Sequence, residues 1–338
     1  MRTKLRRAAK IARSGLRRYP RELINSLAVS GRPPSVPSGS LSVDPALMRL
    51  VSHDLGAVWL GHASVLARIG GLNVLSDPVF SERVGLTVGG ITFGIQRMAP
   101  LPFPERALPP IDVILLTHAH FDHFDVPTLR RLASPHTTVV TATKTARLVP
   151  KGFGRVIELD WTTELDLGGV RVRAVRPAHW GARFAYDRHR GFNSYLLEAA
   201  NARVLFAGDT AHTDVFGKLG PVDLAVFGIG AYEPWIHHHA NPEQVWEMFT
   251  DLGGEHLLPM HHSTFRLGEE HPDEPIQRLL AAAGEHRHRV VGTRMGEVWL
   301  HGERATEPKS PSGEAAQGDA ADEHTPARRR PGVSELTV

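Results

Sequence analysis

The chain has 338 residues, of which 41% are hydrophobic, so it is long enough to bury the core of one large or two ordinary domains. It contains no cysteine, which excludes disulfides, zinc ribbons, iron–sulfur clusters and thiol nucleophiles and leaves histidine and carboxylate side chains to hold any metal. The formal net charge is +3, but residues 1–32 carry +9 and the remainder −6, so the basic character is local.

The first 40 residues form a basic N-terminal arm that ends in the linker-like segment GRPPSVPSGS, residues 31–40. If residues 4–23 are helical, the leucines and alanines fall on one stripe, and most lysines and arginines lie around the other side. This pattern is typical of a helix on an anionic membrane surface and equally of a solvated basic tail. Because no apolar stretch is long enough to span a bilayer or act as a secretory signal, we expect a cytoplasmic protein whose arm could contact the inner face of the membrane.

Residues 41–302 read as a single domain of short β-type runs separated by turns, with three helices among them. The predicted strands are 57–69, 72–76, 113–117, 138–140, 155–159, 170–175, 193–198, 203–207, 224–229, 256–260 and 297–300, and the predicted helices are 126–132, 242–252 and 274–283. Strands outnumber helices and the helices fall between them, which predicts two packed sheets flanked by helices. Residues 303–338 have few large apolar side chains and are predicted to be a disordered tail.

The sequence LTHAHFDHFD, residues 116–125, places metal-ligand residue types directly after an apolar strand. Its motif is His118-x-His120-x-Asp122-His123. Four donors this close in sequence cannot all bind one ion without strain, but they can serve two neighbouring ions. The alternative is a charged, solvated loop. The pattern therefore favours a binuclear metal site.

Further ligand-type residues follow other predicted strands. His179 lies in RPAHW, Asp209 in LFAGDT, and the adjacent His261 and His262 in LLPMHHSTF. Loops at the carboxyl ends of strands converge in layered α/β folds, so residues distant in sequence can meet there. Taken alone, Asp209 could be a turn residue and His179 a buried, hydrogen-bonded histidine.

The order and spacing of these donors resemble the ligand series of the metallo-β-lactamase superfamily, an α/β fold built as a four-layer αββα sandwich. Within it, residues 57–285 resemble the N-acyl phosphatidylethanolamine-hydrolysing phospholipase D family and its bacterial relatives. The segments that carry this resemblance are WLGHASVLARIGGLNVLSDPVFSERV, LPPIDVILLTHAHFDHFD, RPAHW, RVLFAGDT, IGAYEPW and HHSTF.

The resemblance implies a role for each matching residue, with Asp122 and Asp209 as the catalytic carboxylates. It implies two zinc ions, one on His118, His120 and His179 and one on Asp122, His123 and His261, with Asp209 bridging them. His262 occupies the position of a family tryptophan, which favours His261 over its neighbour as the ligand.

Three other residues acquire roles from the same resemblance. Asp77 of LSDPVF resembles the family acid that holds a ligand imidazole, although Asp-Pro is also a common turn. His239 of HHHANPE and Tyr232 of IGAYEPW correspond to residues near the substrate. His238 replaces a family glutamine, which leaves the headgroup preference open.

The family's activity predicts that a hydroxide shared by two zinc ions attacks the phosphorus of an N-acyl phosphatidylethanolamine-like phospholipid. The alternative is a hydrolase of lactones, lactams or other carboxyl esters with the same fold. A metal-binding module without turnover is a third reading, which the complete ligand series disfavours. No nucleic-acid partner is expected because the core is net negative and has no obvious room for an inserted nucleic-acid domain. The oligomeric state is left open.

Overall fold

Two β-sheets packed face to face, with helices on both outer sides, make up the part of the chain described by the computed structural model, residues 43–88, 91–161, 163–184 and 186–303. This confirms the predicted αββα sandwich. The basic arm and nearly all of the predicted tail lie outside the described residues, so their structure and the proposed membrane contact stay predictions. No helix within the described ranges is both long and apolar enough to cross a bilayer.

The described residues form fifteen strands and four α-helices. The strands are β1 (Leu55–Gly61), β2 (Ser64–Ile69), β3 (Leu72–Ser76), β4 (Arg83–Val88), β5 (Ile91–Gln96), β6 (Val113–Leu116), β7 (Thr138–Ala142), β8 (Arg155–Leu159), β9 (Glu164–Asp166), β10 (Arg171–Val175), β11 (Ser194–Ala199), β12 (Ala202–Phe206), β13 (Leu224–Gly228), β14 (His256–Met260) and β15 (Val298–Leu300). The helices are α1 (Pro45–Val51), α2 (Val126–Leu132), α3 (Pro242–Leu252) and α4 (Glu274–Ala283).

The first sheet has the strand order β15-β1-β2-β3-β6-β7-β8 and the second has β14-β13-β12-β11-β10-β9. Strands β4 and β5 form a separate antiparallel hairpin. In the first sheet, β3, β6, β7 and β8 run parallel to one another, and in the second sheet β12, β13 and β14 do so. Loops that leave the carboxyl ends of these strands therefore emerge along the same edge of each sheet.

The strands in the middle of the two sheets, such as β1, β6 and β13, read as continuous apolar runs because both of their faces are buried. In β1, Trp59 faces the layer between the two sheets, whereas Leu60 faces the helices outside the first sheet. Leu50 of α1 and Leu129 of α2 pack in that outer layer. Helices α3 and α4 cover the outer face of the second sheet.

Helix α3 shows why the helix bounds were predictable. The side chain of Asn241 accepts from the backbone N–H of Gln244, and the Gln244 side chain accepts from the Asn241 N–H, which completes a capping box. Pro242 occupies the first turn, and Gly253 ends the helix at φ 71°. The bounds of α2, α3 and α4 agree with those predicted from the sequence.

The predicted single strand 57–69 is wrong. The chain instead folds back as the antiparallel pair β1 and β2, with Gly61 opposite Ser64 in the register. Gly61 at φ 106° and His62 at φ 50° make the turn. Because both strands are buried on both faces, the short Gly61-His62 turn is flanked directly by apolar residues on each side and resembles part of one long strand. Helix α1, the β4–β5 hairpin and β9 were not predicted.

Candidate metal centre

Four donor side chains form a first group where β6, β10 and β12 end. They are His118, His120, His179 and Asp209, and one ligand-type atom of each lies within 4.8 Å of the others. His118 follows β6, His179 follows β10 and Asp209 follows β12. Nε2 of His118 and Nε2 of His179 each lie 3.8 Å from Asp209 Oδ2.

A second group consists of His62, Asp122, His123 and His261, again with one ligand-type atom of each within 4.8 Å of the others. The Oδ2 atom of Asp122 lies 3.2 Å from His62 Nε2 and 3.5 Å from His261 Nε2. Asp209 joins the two groups, because its Oδ2 lies 3.0 Å from His123 Nε2 and its Oδ1 lies 3.4 Å from His261 Nε2. Two neighbouring donor sets therefore meet at one carboxylate.

The donor atoms fit metal ions because several of them are buried without a hydrogen-bond partner. These atoms are Nε2 of His123 and His261 and both carboxylate oxygens of Asp209. In the first group, Nδ1 of His120 faces Nε2 of His118 at 2.7 Å and Nε2 of His179 at 3.4 Å. Leaving a buried polar atom unpaired costs about 1–3 kcal/mol, so a cluster of such atoms is expected to have a ligand. Imidazole nitrogen and carboxylate oxygen are donors that zinc accepts in tetrahedral sites.

Burial keeps most of the imidazoles in the neutral form that can bind a metal. It lowers the pKa of His62 to about 3 and the pKa values of His120 and His239 to about 4. Burial by itself would raise the pKa of Asp209, but His123, His261 and His239 hold that pKa well below its usual range.

His123 shows that positive charge is favoured between the carboxylates. Burial would lower its pKa, but Asp209, Asp77 and Asp122 together raise that pKa well above its usual value. A cation at this place is therefore stabilised by three surrounding carboxylates. A metal ion would supply that positive charge.

Asp77, which the resemblance predicted to hold a ligand imidazole, lies in contact with His123. Its Oδ2 lies 2.7 Å from His123 Nδ1 and accepts from the Thr117 hydroxyl at 2.6 Å, while Oδ1 accepts from the Thr117 N–H at 2.8 Å. A proton on Nδ1 directed at this carboxylate leaves Nε2 of His123 free to face the donor groups.

The adjacent histidines point to different surroundings. His261, at φ 63°, belongs to the second donor group, and its N–H donates to the carbonyl of His62 at 2.9 Å. The ring of His262 stacks on Trp59 with centroids 4.5 Å apart, and its Nδ1 lies 2.8 Å from the Ser263 hydroxyl. The geometry therefore brings His261, and not His262, to the donor groups.

The two residues predicted near the substrate have different positions. Nδ1 of His239 lies 3.8 Å from Asp209 Oδ2, beside the donor groups. The hydroxyl of Tyr232 instead donates to Glu274 at 2.8 Å, and the Arg278 guanidinium lies 4.9 Å from the tyrosine ring. The Tyr232 hydroxyl is thus hydrogen-bonded to a residue of α4.

A groove of about 430 Å³ opens beside the first donor group. Its lining includes Arg176, His179 and His238. The carbonyl of His238 accepts from Nδ1 of His179 at 3.0 Å, so this segment also orients a donor imidazole. The Arg176 guanidinium lies 4.6 Å from the ring of Trp161, whose side chain is partly exposed.

His62 is the residue in the cluster that the sequence analysis missed. It lies in the turn between β1 and β2, and its position in the predicted strand 57–69 gave no reason to expect it at an edge. Gly61 immediately before it was the available signal, since a glycine inside an apolar run can mark a turn or a bulge.

Comparison with known proteins agrees with this fold. The family model of the beta-lactamase superfamily domain matches residues 72–262. An uncharacterized protein of Mycobacterium tuberculosis is 34% identical over 266 residues, 73% of this chain and 68% of that protein. N-acyl-phosphatidylethanolamine-hydrolyzing phospholipase D 1 of Caenorhabditis elegans is 30% identical over 276 residues, 74% of this chain and 77% of that protein.

Solved structures show the same architecture. Igni18, a metallo hydrolase from Ignicoccus hospitalis, matches with a TM-score of 0.53 at 21% identity, covering 72% of this chain and 97% of that one. The chain belongs to the metallo-β-lactamase superfamily. Within that class it is a hydrolase of the metal-dependent type.

Proposed function

We propose that this chain is a phosphodiesterase of the phospholipase D type that acts on N-acyl phosphatidylethanolamine-like phospholipids with two zinc ions. The observation that carries the proposal is the pair of buried donor groups that meet at Asp209, since a two-metal site suits in-line displacement at phosphorus. The 30% identity to the C. elegans phospholipase D supports the lipid substrate class.

In this proposal each donor group holds one ion. His118, His120 and His179 would hold the first, and Asp122, His123 and His261 the second, with Asp209 shared and His62 beside Asp122. When bound, such a pair supplies a water of lowered pKa and positive charge that stabilises the phosphoryl oxygens. The same donors also accept iron or manganese, so the identity of the metal as zinc is itself proposed.

The protein's own groups would orient the substrate. The Arg176 guanidinium in the groove can attract an anionic phosphodiester, and His239 beside Asp209 can hydrogen-bond a phosphoryl oxygen. Trp161 and Trp180, with relative exposures of 38% and 39%, offer apolar rings near the donor groups, which suits a substrate with a lipid part.

The second candidate is a hydrolase of lactones, lactams or other carboxyl esters. The observation in its favour is the groove itself, which at about 430 Å³ is large enough for a small ester. The same donor groups would activate water toward a carbonyl carbon as readily as toward phosphorus.

A turnover screen of the zinc-loaded full chain separates these candidates. The substrates are N-acyl phosphatidylethanolamine in vesicles, a soluble phosphodiester, a lactone and a β-lactam. We expect cleavage of the lipid into an N-acylethanolamine and phosphatidic acid, and loss of that cleavage in the His118→Ala and Asp209→Ala variants. Metal analysis by mass spectrometry should give two equivalents for the wild type, with both ions reduced in Asp209→Ala.

Each result of the screen has a consequence. Opening of the lactone or lactam without cleavage of either phosphodiester would establish the second candidate and refute the first. Full occupancy of two ions in Asp209→Ala would refute the assignment of Asp209 as the shared ligand.

A further inference from the structure

A separate cluster of ligand-type side chains lies at the far end of β14 from the donor groups. It consists of Glu255, His256 and His301, and one ligand-type atom of each lies within 4.8 Å of the other two. His256 begins β14, whereas His261 follows its last residue. Five residues of extended strand span about 17 Å, so this cluster is distinct from the metal centre.

The cluster joins the two sheets. His256 belongs to the second sheet, and His301 directly follows β15 of the first. Trp299 of β15 packs beside both histidines, with its ring centroid 4.9 Å from that of His256 and 5.8 Å from that of His301, and the two histidine rings face each other edge-on with centroids 5.9 Å apart. Their backbones are fixed, because the His301 N–H donates to Leu55 of β1 at 3.1 Å and the His256 N–H donates to Asp223 at 3.1 Å.

The cluster shares the feature that marks the main site. Nδ1 of His256 and Nδ1 of His301 are both buried without a hydrogen-bond partner. The Glu255 carboxylate lies 3.7 Å from His256 Nδ1, too far for a hydrogen bond. Burial lowers the pKa of His256, which keeps that imidazole in the neutral, metal-binding form.

Two charged side chains of opposite sign, Glu255 and Arg289, act on His256. Arg289 is the nearby cation, and its guanidinium donates to the carbonyls of Glu255 and Gly254 and lies 4.8 Å from the Phe249 ring. The Glu255 carboxylate offsets this charge. Its side chain is 56% exposed and can turn toward the two imidazoles.

We propose that Glu255, His256 and His301 bind a single zinc-class ion that fastens the two sheets together at this end of the sandwich. Two imidazoles and one carboxylate, completed by water, are a donor set that zinc accepts, with metal–ligand distances of about 2.0–2.2 Å. Those distances require the donor atoms to approach one another by roughly 1 Å, which rotation of Glu255 and His301 can supply. The ion would contribute to stability and not to catalysis.

Zinc titration of the full chain tests this proposal. We expect a third, weaker equivalent in the wild type, and its dissociation constant should rise at least tenfold in His256→Gln and in His301→Gln. The matched control is the double variant His286→Gln/His288→Gln, which changes two exposed histidines in the turn after α4 whose ring centroids are 6.3 Å apart. That control should keep the third equivalent.

Two further measurements distinguish binding from damage to the fold. When the metal centre is already loaded with zinc, one further equivalent of copper(II) should quench part of the tryptophan fluorescence of the wild type, and that part of the quenching should be absent in Trp299→Phe. The thermal midpoint should rise with the third equivalent of zinc in the wild type but not in His301→Gln, whereas hydrolysis should be equal in both.

A wild-type chain that binds no third equivalent would overturn the proposal. So would a His301→Gln chain that is folded, judged by its circular dichroism, and binds the third equivalent as the wild type does. If His256→Gln fails to fold, Glu255→Gln replaces it, since Glu255 is exposed and outside the core. Counting this ion as the third equivalent rests on the two ions of the proposed function, whereas the selective weakening of one zinc equivalent in His256→Gln and His301→Gln does not.

Discussion

Replacing Asp77 with asparagine removes one charge from the site while leaving the side-chain volume almost unchanged. The wild-type carboxylate accepts two hydrogen bonds from Thr117, at 2.8 and 2.6 Å, and lies 2.7 Å from His123 Nδ1. If the new amide nitrogen faces His123, Nδ1 must become an acceptor, which moves the ring proton to Nε2 and blocks the metal-binding atom. If the amide oxygen faces His123, the amide nitrogen faces the Thr117 N–H, and because both groups are donors that hydrogen bond is lost.

Either orientation loses a contact that fixes a ligand imidazole. Changes of this kind typically cost 10- to 100-fold in metal affinity, equivalent to about 1.4–2.8 kcal/mol. A competition titration with a zinc chelator should therefore show one of the two tight equivalents weakened by that factor in Asp77→Asn.

The matched control is Asp112→Asn at the other end of the same pair of strands. Its carboxylate accepts from the Asn73 N–H at 2.8 Å, directly before β6 and away from the donor groups. We expect this variant to bind both equivalents as the wild type does. If Asp77→Asn retains both zinc affinities within twofold while remaining folded, the proposed orienting role of Asp77 is refuted.

Four other changes test separate parts of the site. His62→Gln should weaken the second ion about tenfold by removing the imidazole beside Asp122, and equal zinc affinity would assign His62 a packing role only. His261→Ala should lose the second ion and activity while His262→Ala keeps both, and metal analysis showing the reverse would transfer the ligand role. In the metal-free chain, burial lowers the pKa of His239 to about 4, below the unfolded value of 6.5. The unfolded chain therefore binds a proton more readily, so the free energy of unfolding should fall as the pH drops from 6.5 to 4. Urea denaturation that shows no change across this range would contradict this. Deleting residues 1–30 should abolish salt-sensitive binding to anionic vesicles and leave the turnover of a soluble phosphodiester unchanged. Undiminished vesicle binding by the truncated chain would show that the arm is only a solvated tail.

Local sequence signals predicted the parts of the fold that depend on local structure. The predicted helix bounds agree with the structure, in which each of these three helices has a proline in its first turn. His118, Asp209 and His261 were expected together because each follows a strand. The turn at His62 was missed because residues 57–69 are almost entirely buried, and Gly61, His62 and Ser64 were read as part of one strand. The stacking of His262 on Trp59 and the bond from Tyr232 to Glu274 depend on which elements meet in space, which one-dimensional patterns do not show.

The backbone at the site is held in conformations that L-residues rarely adopt. His62, Asp77 and His261 have φ values of 50°, 33° and 63°, and each ends or directly follows a buried strand. Such residues typically cost on the order of 1–3 kcal/mol each and persist only where the surroundings fix them. Here the His62 carbonyl accepts hydrogen bonds from the His261 N–H and from the Trp59 indole N–H. The turns at His62 and His261 are therefore bonded to each other, and Trp59 connects them to the core between the sheets.

Glycines allow the remaining loops to approach this strained backbone. A Cβ on Gly208, which is at φ 61°, would lie 2.9 Å from the Thr117 side chain, and one on Gly228 would lie 3.3 Å from Cβ of His261. The loop that carries Asp209 can therefore lie against Thr117 because Gly208 has no side chain, and Gly228 leaves room for the His261 side chain. The strands, the core and these close contacts fix the donor side chains in the folded protein. The free-energy cost of ordering them is therefore met during folding, so less of it remains when a metal binds.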